Sequence, residues 1–147
     1  VKIKTLSRKE LHEALPLIWD VFSEYEAVHY SKEGKQAFWD AIHSEAYLAQ
    51  LKAYGAFQED ELIGIIAVRN EGSHVALFFV KGTYHGKGIG RKLWNTVLEE
   101  NTSHNITVNS SLYAIPIYEK LGFVRIDDIQ EDGGIRYVPM QYKIDKA

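Results

Sequence analysis

The chain switches between two hydrophobic periods, and each switch marks an element. Lys2 to Leu6 alternates polar and apolar residues and predicts an edge strand. Ser7 with Glu10 makes a capping box, so a helix starts there. Leu11, Leu15, Ile18 and Phe22 share one face of it, with Ala14 and Trp19 flanking. Pro16 removes a backbone donor inside this pattern and predicts a kink or a helix in two pieces. The polar aromatic segment Ser23 to Tyr30 ends that helix, and Ser31 caps the next. Phe38, Trp39, Ile42 and Ala46 give one helical face; Tyr47, Leu48 and Leu51 give another. The period slips at His43-Ser44-Glu45, which predicts two short helices or one bent helix ending near Gly55.

Strand pattern then takes over. Tyr54 to Gln58, Leu62 to Arg69 and His74 to Val80 read as a meander joined by turns at Glu59-Asp60-Glu61 and Asn70-Glu71-Gly72-Ser73. Gly82, Gly86, Gly88 and Gly90 come next in one loop, and Ile89, Leu93 and Val97 then repeat at helical spacing as far as Asn101. Asn105 to Val108 reads as a short strand, and Asn109-Ser110-Ser111 offer caps for a helix with Pro116 in its first turns. That helix has apolar positions at Ile115, Ile117, Tyr118 and Leu121 and closes on Gly122. Phe123 to Ile126 is a strand, Gln130 to Gly134 a polar turn, and Ile135 to Ile144 a last strand in which Pro139 suggests an edge or a bulge. Internal repeats, linkers and low-complexity tracts are missing from this pattern.

Composition narrows the class. A chain of 147 residues, 46% hydrophobic and 25% charged, suits one soluble domain spanning residues 1–147 with a real core. Apolar runs stay well short of the ~20 residues of a membrane span, and the first ten residues are too polar for a signal peptide. The absence of cysteine removes disulfides, thiolate metal sites and cysteine nucleophiles and fits a cytoplasmic protein. With a net charge of −3 and no basic stripe, nucleic acid is a poor partner. His12, His29 and His43 show no ligand spacing, so no metal is expected. Edge strands at both ends of the chain leave a homodimer open.

The glycine loop carries the first chemistry. The leading N–H groups of a helix lack intrahelical partners and sit at the positive end of the macrodipole. Glycines bring such a backbone against a ligand, and phosphate is its usual guest. Lys87, Arg91 and Lys92 add positive charge. The spacing from Gly82 to Gly86 is one residue short of a P-loop, and Gly88 follows Lys87 where a hydroxyl belongs. A dinucleotide fingerprint starting at Gly86 fails at Arg91, where its third glycine should stand. His85-Gly86-Lys87-Gly88-Ile89-Gly90 instead resembles the coenzyme A pyrophosphate loop of the GNAT superfamily of N-acetyltransferases, Q/R-x-x-G-x-G/A, with His85 in the Gln/Arg position.

A second stretch supports that resemblance. Asn109 to Phe123, N-S-S-L-Y-A-I-P-I-Y-E-K-L-G-F, is similar to the family's N-A-S-x-x-A-x-x-F-Y-x-K-L-G-F, in the family's order and spacing. The resemblance implies an α/β (α+β) GNAT fold with a mixed, mostly antiparallel, splayed sheet flanked by helices. It implies acetyl-CoA as cosubstrate and a primary amine, on a small molecule or a peptide, as the acceptor that attacks it directly. Phe78, Phe79 and Val80 would lend backbone groups to the pantetheine arm, the stretch His85 to Gly90 and Arg91 would hold the diphosphate, Asn109 would reach the pantetheine from the other side, and Lys120 the adenosine end. Tyr118 matches the family's general acid, although by pattern alone it reads as a core aromatic. His85 reads equally as a surface turn residue whose ring is not needed if main-chain amides hold the phosphates. Some family members place a Glu on the strand before the loop; His74 to Val80 holds no carboxylate. Glu24, Glu26, His29 and His74 are therefore the candidate base or water relay. The alternative is a domain of the same fold that binds acyl-CoA as a sensor without catalysis.

Overall fold

A computed structural model describes residues 1–144. Eight strands form one sheet: β1 (Lys2–Thr5), β2 (Lys52–Gln58), β3 (Glu61–Arg69), β4 (His74–Val80), β5 (Asn105–Ser111), β6 (Val124–Arg125), β7 (Gln130–Asp132) and β8 (Ile135–Lys143). Their order is β1-β2-β3-β4-β5-β8-β6, with β7 also beside β8. Every pairing is antiparallel except β4 with β5. Helices α1 (Arg8–Glu13), α2 (Leu15–Val21), α3 (Lys32–Ile42) and α4 (Glu45–Leu48) cover one face; α5 (Ile89–Glu100) and α6 (Ile115–Leu121) cover the other.

The sheet therefore divides two cores. Leu11, Ile18, Phe22 and Ile42 pack on Ile65, Leu77 and Phe79. Ile89, Leu93, Trp94 and Val97 pack with Tyr118 and Phe123 on Ile63, Ile66, Val75 and Ile106. Local signals start the helices. The Ser7 hydroxyl accepts from the Glu10 N–H at 3.1 Å while the Ser7 N–H donates to the Glu10 carboxylate at 3.0 Å. Pro16 opens α2, so the first helix is in two pieces with the joint at Ala14. Ser31 caps α3 and Ser44 caps α4 through their hydroxyls.

The first helix does end within Ser23 to Tyr30, by way of a wide turn over Phe22–Glu26, where the Ala27 N–H reaches the Phe22 carbonyl, and a tight turn over Ala27–His29. Several elements differ from the sequence expectation. The helix expected to end near Gly55 stops at Leu48, and Gly55 lies inside β2, where a Cβ would come within 2.8 Å of the Leu6 and Leu62 side chains. Asn109, Ser110 and Ser111 extend β5 opposite Pro139, Val138 and Tyr137 instead of capping α6. The N-cap of α6 is Ala114, whose N–H donates to the Ser111 hydroxyl at 3.2 Å. Gln130–Asp132 is a strand, so only the Gly133-Gly134 end of the expected turn survives. Pro139 lies on an interior strand. The Ile126 N–H donates to its carbonyl at 3.0 Å, and proline has no N–H to return the bond, so the β6 ladder stops at Arg125.

The helix stop at Gly122 yields a stability prediction. Gly122 has φ +108°, and a Cβ there would come within 2.9 Å of the Tyr142 ring. Gly122→Ala is expected to lose about 1–2 kcal/mol from left-handed strain alone. It should lower the urea midpoint with the m-value unchanged; an unchanged midpoint would count against this backbone strain.

Candidate active site

The site begins where β4 leaves β5. The two strands pair only at His74↔Thr107 and Val75↔Val108. On its other edge β4 pairs with β3 as Val68↔Val75 and then Ala67↔Leu77, so Ala76 is an extra residue, a bulge. A bulge bends its strand and changes which way the later side chains face. Val75 faces the α5 side, Ala76 and Leu77 both face the α1–α4 side, and Phe78 and Val80 return to the α5 side. Past the bulge β4 and β5 diverge.

The divergence leaves backbone groups open. The Lys81 N–H donates to the Ile63 carbonyl at 2.8 Å, so Lys81 and Phe79 face β3, and alternation turns the N–H and C=O of Phe78 and Val80 toward the gap. On the far side the Thr107 N–H points to the β4 edge, onto the Ser73 carbonyl at 2.9 Å, and alternation turns Asn109 and Ser111 the same way. His85 Nε2 lies 2.6 Å from the Val80 carbonyl oxygen, so Nε2 carries the proton and the ring is tied to the end of β4.

The glycine loop lies at the mouth of this gap. Gly86 and Gly88 have φ +74° and +81°, and a Cβ at either would meet nothing within 4 Å. Gly88 is the N-cap of α5, with no side chain to satisfy the amides behind it. The first bond of the helix runs from the Lys92 N–H to the Gly88 carbonyl, leaving the N–H groups of Ile89, Gly90 and Arg91 without helical partners. Lys87 sits 5.5 Å from the centre of the Tyr84 ring. Arg91 is turned from the loop toward α6, where it donates to the Lys120 carbonyl at 2.9 Å. Lys120 is exposed at the end of α6.

A cavity of about 300 Å³ runs from the loop into the gap, between Gly86, Gly88, Phe78, Val80, Tyr118 and Glu26. Behind it a pocket of about 80 Å³ is shared by Glu26, Tyr30, Asn109, Ser111 and Tyr118. Burial is the main force on the ionisable groups there. It pushes the Glu26 carboxyl up to about 7, against the Ser111 side chain, which pulls it down. Burial raises the Tyr118 phenol well above its usual value, and the Glu26 charge and Tyr30 raise it further. Tyr30 is raised by burial and then by Glu26. Burial chiefly keeps both phenols protonated, and the Glu26 charge adds to it.

Of the four candidate bases, only Glu26 shares a cavity with Tyr118. Glu24 faces a different, outer cavity. His29 lies on the tight turn past Glu26 and lines neither cavity that Tyr118 lines. His74 stands at the closed end of the gap, hydrogen-bonded to the Thr107 hydroxyl at 2.8 Å, and burial followed by the Arg69 charge pushes it down to about 4. It is neutral and occupied, away from the expected chemistry. Sequence reading passed over Val21, Tyr113 and Ser111. It also counted Ile117 as core, yet Ile117 is 42% exposed and lines the cavity. The available signal was spacing: Ile117 falls off the stripe Ile115, Tyr118, Leu121 that α6 buries.

A family model described as Acetyltransferase (GNAT) domain matches residues 26–144. The chain belongs to the GNAT acetyltransferases. Among solved structures it is similar to a GCN5-related N-acetyltransferase from Rhodopseudomonas palustris (17% identity, 97% of this chain and 95% of that one, TM-score 0.83). It is also similar to the PaiA N-acetyltransferase from Thermoplasma acidophilum in complex with coenzyme A (20%, 98% and 100%, TM-score 0.68) and to the apo form of YjaB from Escherichia coli (18%, 96% and 96%, TM-score 0.74). At these identities the likeness is one of fold. No curated protein matches the sequence. Like the family's fold, this GNAT sheet is mixed, mostly antiparallel and open, with helices on both faces. Among the described residues, no helix is long and apolar enough to cross a membrane.

The Glu26 carboxyl also shapes the stability of this GNAT domain. Its folded value of about 7 exceeds the usual 4.5. The native state therefore binds the proton more tightly, and stability falls as pH rises from about 4.5 to about 7 and levels off above. Glu26→Gln removes this contribution. Because the residue is only part-buried, the variant is expected to gain about 1–2 kcal/mol on wild type between pH 4 and pH 8. Urea unfolding at the two pH values measures it, and an equal difference at both would contradict a raised carboxyl.

Proposed function

We propose that this protein transfers the acetyl group of acetyl-CoA to a primary amine by direct attack. The observation that carries the reading is the conjunction at the gap. Unpaired strand backbone, free amides at a glycine-lined helix mouth, a buried phenol and a carboxyl poised near neutrality all open into one continuous cavity. The main-chain amides of Gly86 to Gly90 suit a diphosphate, since the positive-φ glycines leave open space against the backbone, whereas the His85 N–H is already given to the Gly82 carbonyl at 3.1 Å. Phe78, Val80, Asn109 and Ser111 offer their backbone to an amide-bearing arm laid between the strands. Phe79 is the exception among the expected strand contacts, because it faces β3. Arg91 and Lys120, joined to each other, lie at the outer end of the cradle.

The chemistry comes from that arrangement. The acceptor ammonium passes one proton to Glu26, directly or through water, and the free amine attacks the thioester carbon. Charge gathers on the carbonyl oxygen, where a main-chain N–H near Val80 stabilises it. The nitrogen loses its second proton as the C–S bond breaks, so one proton ends on sulfur and one in solvent. Tyr118 donates to the leaving sulfur. Burial keeps its phenol protonated and also makes it a weaker acid than the thiol, whose usual pKa is about 8.5. A phenol–sulfur hydrogen bond therefore does most of the stabilising, and the proton held by Glu26 is available to restore the phenol.

Two outcomes test these roles. Tyr118→Phe is expected to bind acetyl-CoA as wild type does in calorimetry and to lose about 10²-fold or more in kcat; unchanged turnover would remove Tyr118 from the chemistry. The kcat/KM of the wild-type enzyme is expected to rise with pH through about 7, as Glu26 ionises. Glu26→Gln should lose this limb of the profile along with most of the rate, and a variant keeping the limb would assign the base elsewhere.

A further inference from the structure

Three consecutive residues of the wide turn lie around two cavities. Glu24 lines an outer cavity of about 680 Å³ together with Glu13, Asp20 and Gly82. Glu26 lines the inner cavity with Tyr118 and the glycine loop. Tyr25, between them, also lines the outer cavity, and its ring packs 4.8 Å from His85 and 5.4 Å from Tyr113, which both line the inner one. Val21 borders both spaces. The Tyr25 hydroxyl lies against the Gly82 backbone, where any Cβ would strike it. Burial, and then the neighbouring Glu24 carboxylate, raise this phenol above its usual value. His85 is braced in turn by its bond to the Val80 carbonyl. One phenol ring is thus the wall between a large open cavity and the cavity that holds the reacting groups.

We propose that Tyr25 is the specificity-determining residue for the acceptor: the outer cavity is the acceptor subsite, and an amine reaches the thioester only if it is slender enough to pass the edge of this ring. This rests on the acetyl-transfer reading above. The acceptor class is then an unbranched aliphatic primary amine, threaded past Tyr25 with its remainder in the outer cavity. Branched or ring-borne amines are held back. A second ammonium on such a chain would lie near Glu13, Asp20 and Glu24, which have no salt bridge among the described residues, while Lys81 on the same wall is paired with Glu61.

Binding of thioether conjugates tests this without turnover. Coenzyme A is compared with two derivatives in which its sulfur carries –CH2–C(O)–NH–R, with R either a 4-aminobutyl chain or a cyclohexyl ring. In the wild-type protein the linear conjugate is expected to bind about tenfold tighter than coenzyme A, because its chain buries methylenes without further ordering of the protein, and the cyclohexyl conjugate no tighter than coenzyme A. Tyr25→Ala should raise the affinity of the cyclohexyl conjugate, relative to coenzyme A in the same variant, about tenfold. Tyr25→Phe, which keeps the ring, should preserve the wild-type ranking. Equal affinities of the two conjugates in wild type overturn the inference, as does a linear conjugate no tighter than coenzyme A, and both can be read even if Tyr25→Ala does not fold. Coenzyme A that itself fails to bind correctly folded protein overturns the acetyl-transfer reading, and this inference with it.

Discussion

A single unpaired residue shapes this molecule. With Ala76 skipped in the β3 ladder, β4 bends just after its last pair with β5, and the only parallel contact in the sheet ends at Val75↔Val108. A continuous ladder there would satisfy the backbone groups of Phe78, Val80, Asn109 and Ser111 internally and leave no room between the strands. The bend turns those groups to the gap, where His85 meets the Val80 carbonyl and the Ala114 N–H the Ser111 carbonyl, and the others are costly unless a ligand or water satisfies them. The rest of the fold compensates for that opening. Two cores, one on each face, hold the diverging strands from outside, and β8 backs the whole length of β5.

What gathers in the gap comes from distant parts of the chain. Glu26 arrives on a wide turn from the α2 face, Tyr118 on α6 from the opposite face, and the glycine loop from the end of β4. Their burial is mutual, and so are their charge states. Burial, with the Glu26 charge adding to it, keeps Tyr118 and Tyr30 protonated, and burial also raises the Glu26 carboxyl to about 7. One desolvated environment raises both groups, leaving the carboxyl at about 7 and the phenol well above its usual value.

Much of this was legible in the residues, and the reasons are local. Gly86 and Gly88 were informative because positive φ leaves few alternatives to glycine, and they sit where strand pattern turns into helix pattern. Ser7, Ser31 and Gly122 announced their helix ends through caps whose partners lie a few residues away. Other positions misled for equally physical reasons. Pro139 suggested an edge, yet an interior strand tolerates it because β6 ends where the missing N–H would have been needed. His74 has a side chain suited to catalysis, but the part of β4 it occupies is the part still paired. The bulge at Ala76 left no trace in the alternation of Val75 to Val80, since every residue there is apolar and suits either face.

The amino-acid order alone determined most of the elements, the glycine turn before α5 and the likeness of Asn109 to Phe123 to the family's second motif. These depend on contacts within a few residues or on backbone conformations that few side chains permit. Tertiary structure alone decided which carboxyl stands beside Tyr118, that Arg91 turns to α6, that His85 braces the end of β4, and that Tyr25 divides the cavity. Each of these depends on how far two strands diverge and on which helix face meets the gap. Long-range packing sets those distances, and no short window of sequence contains them.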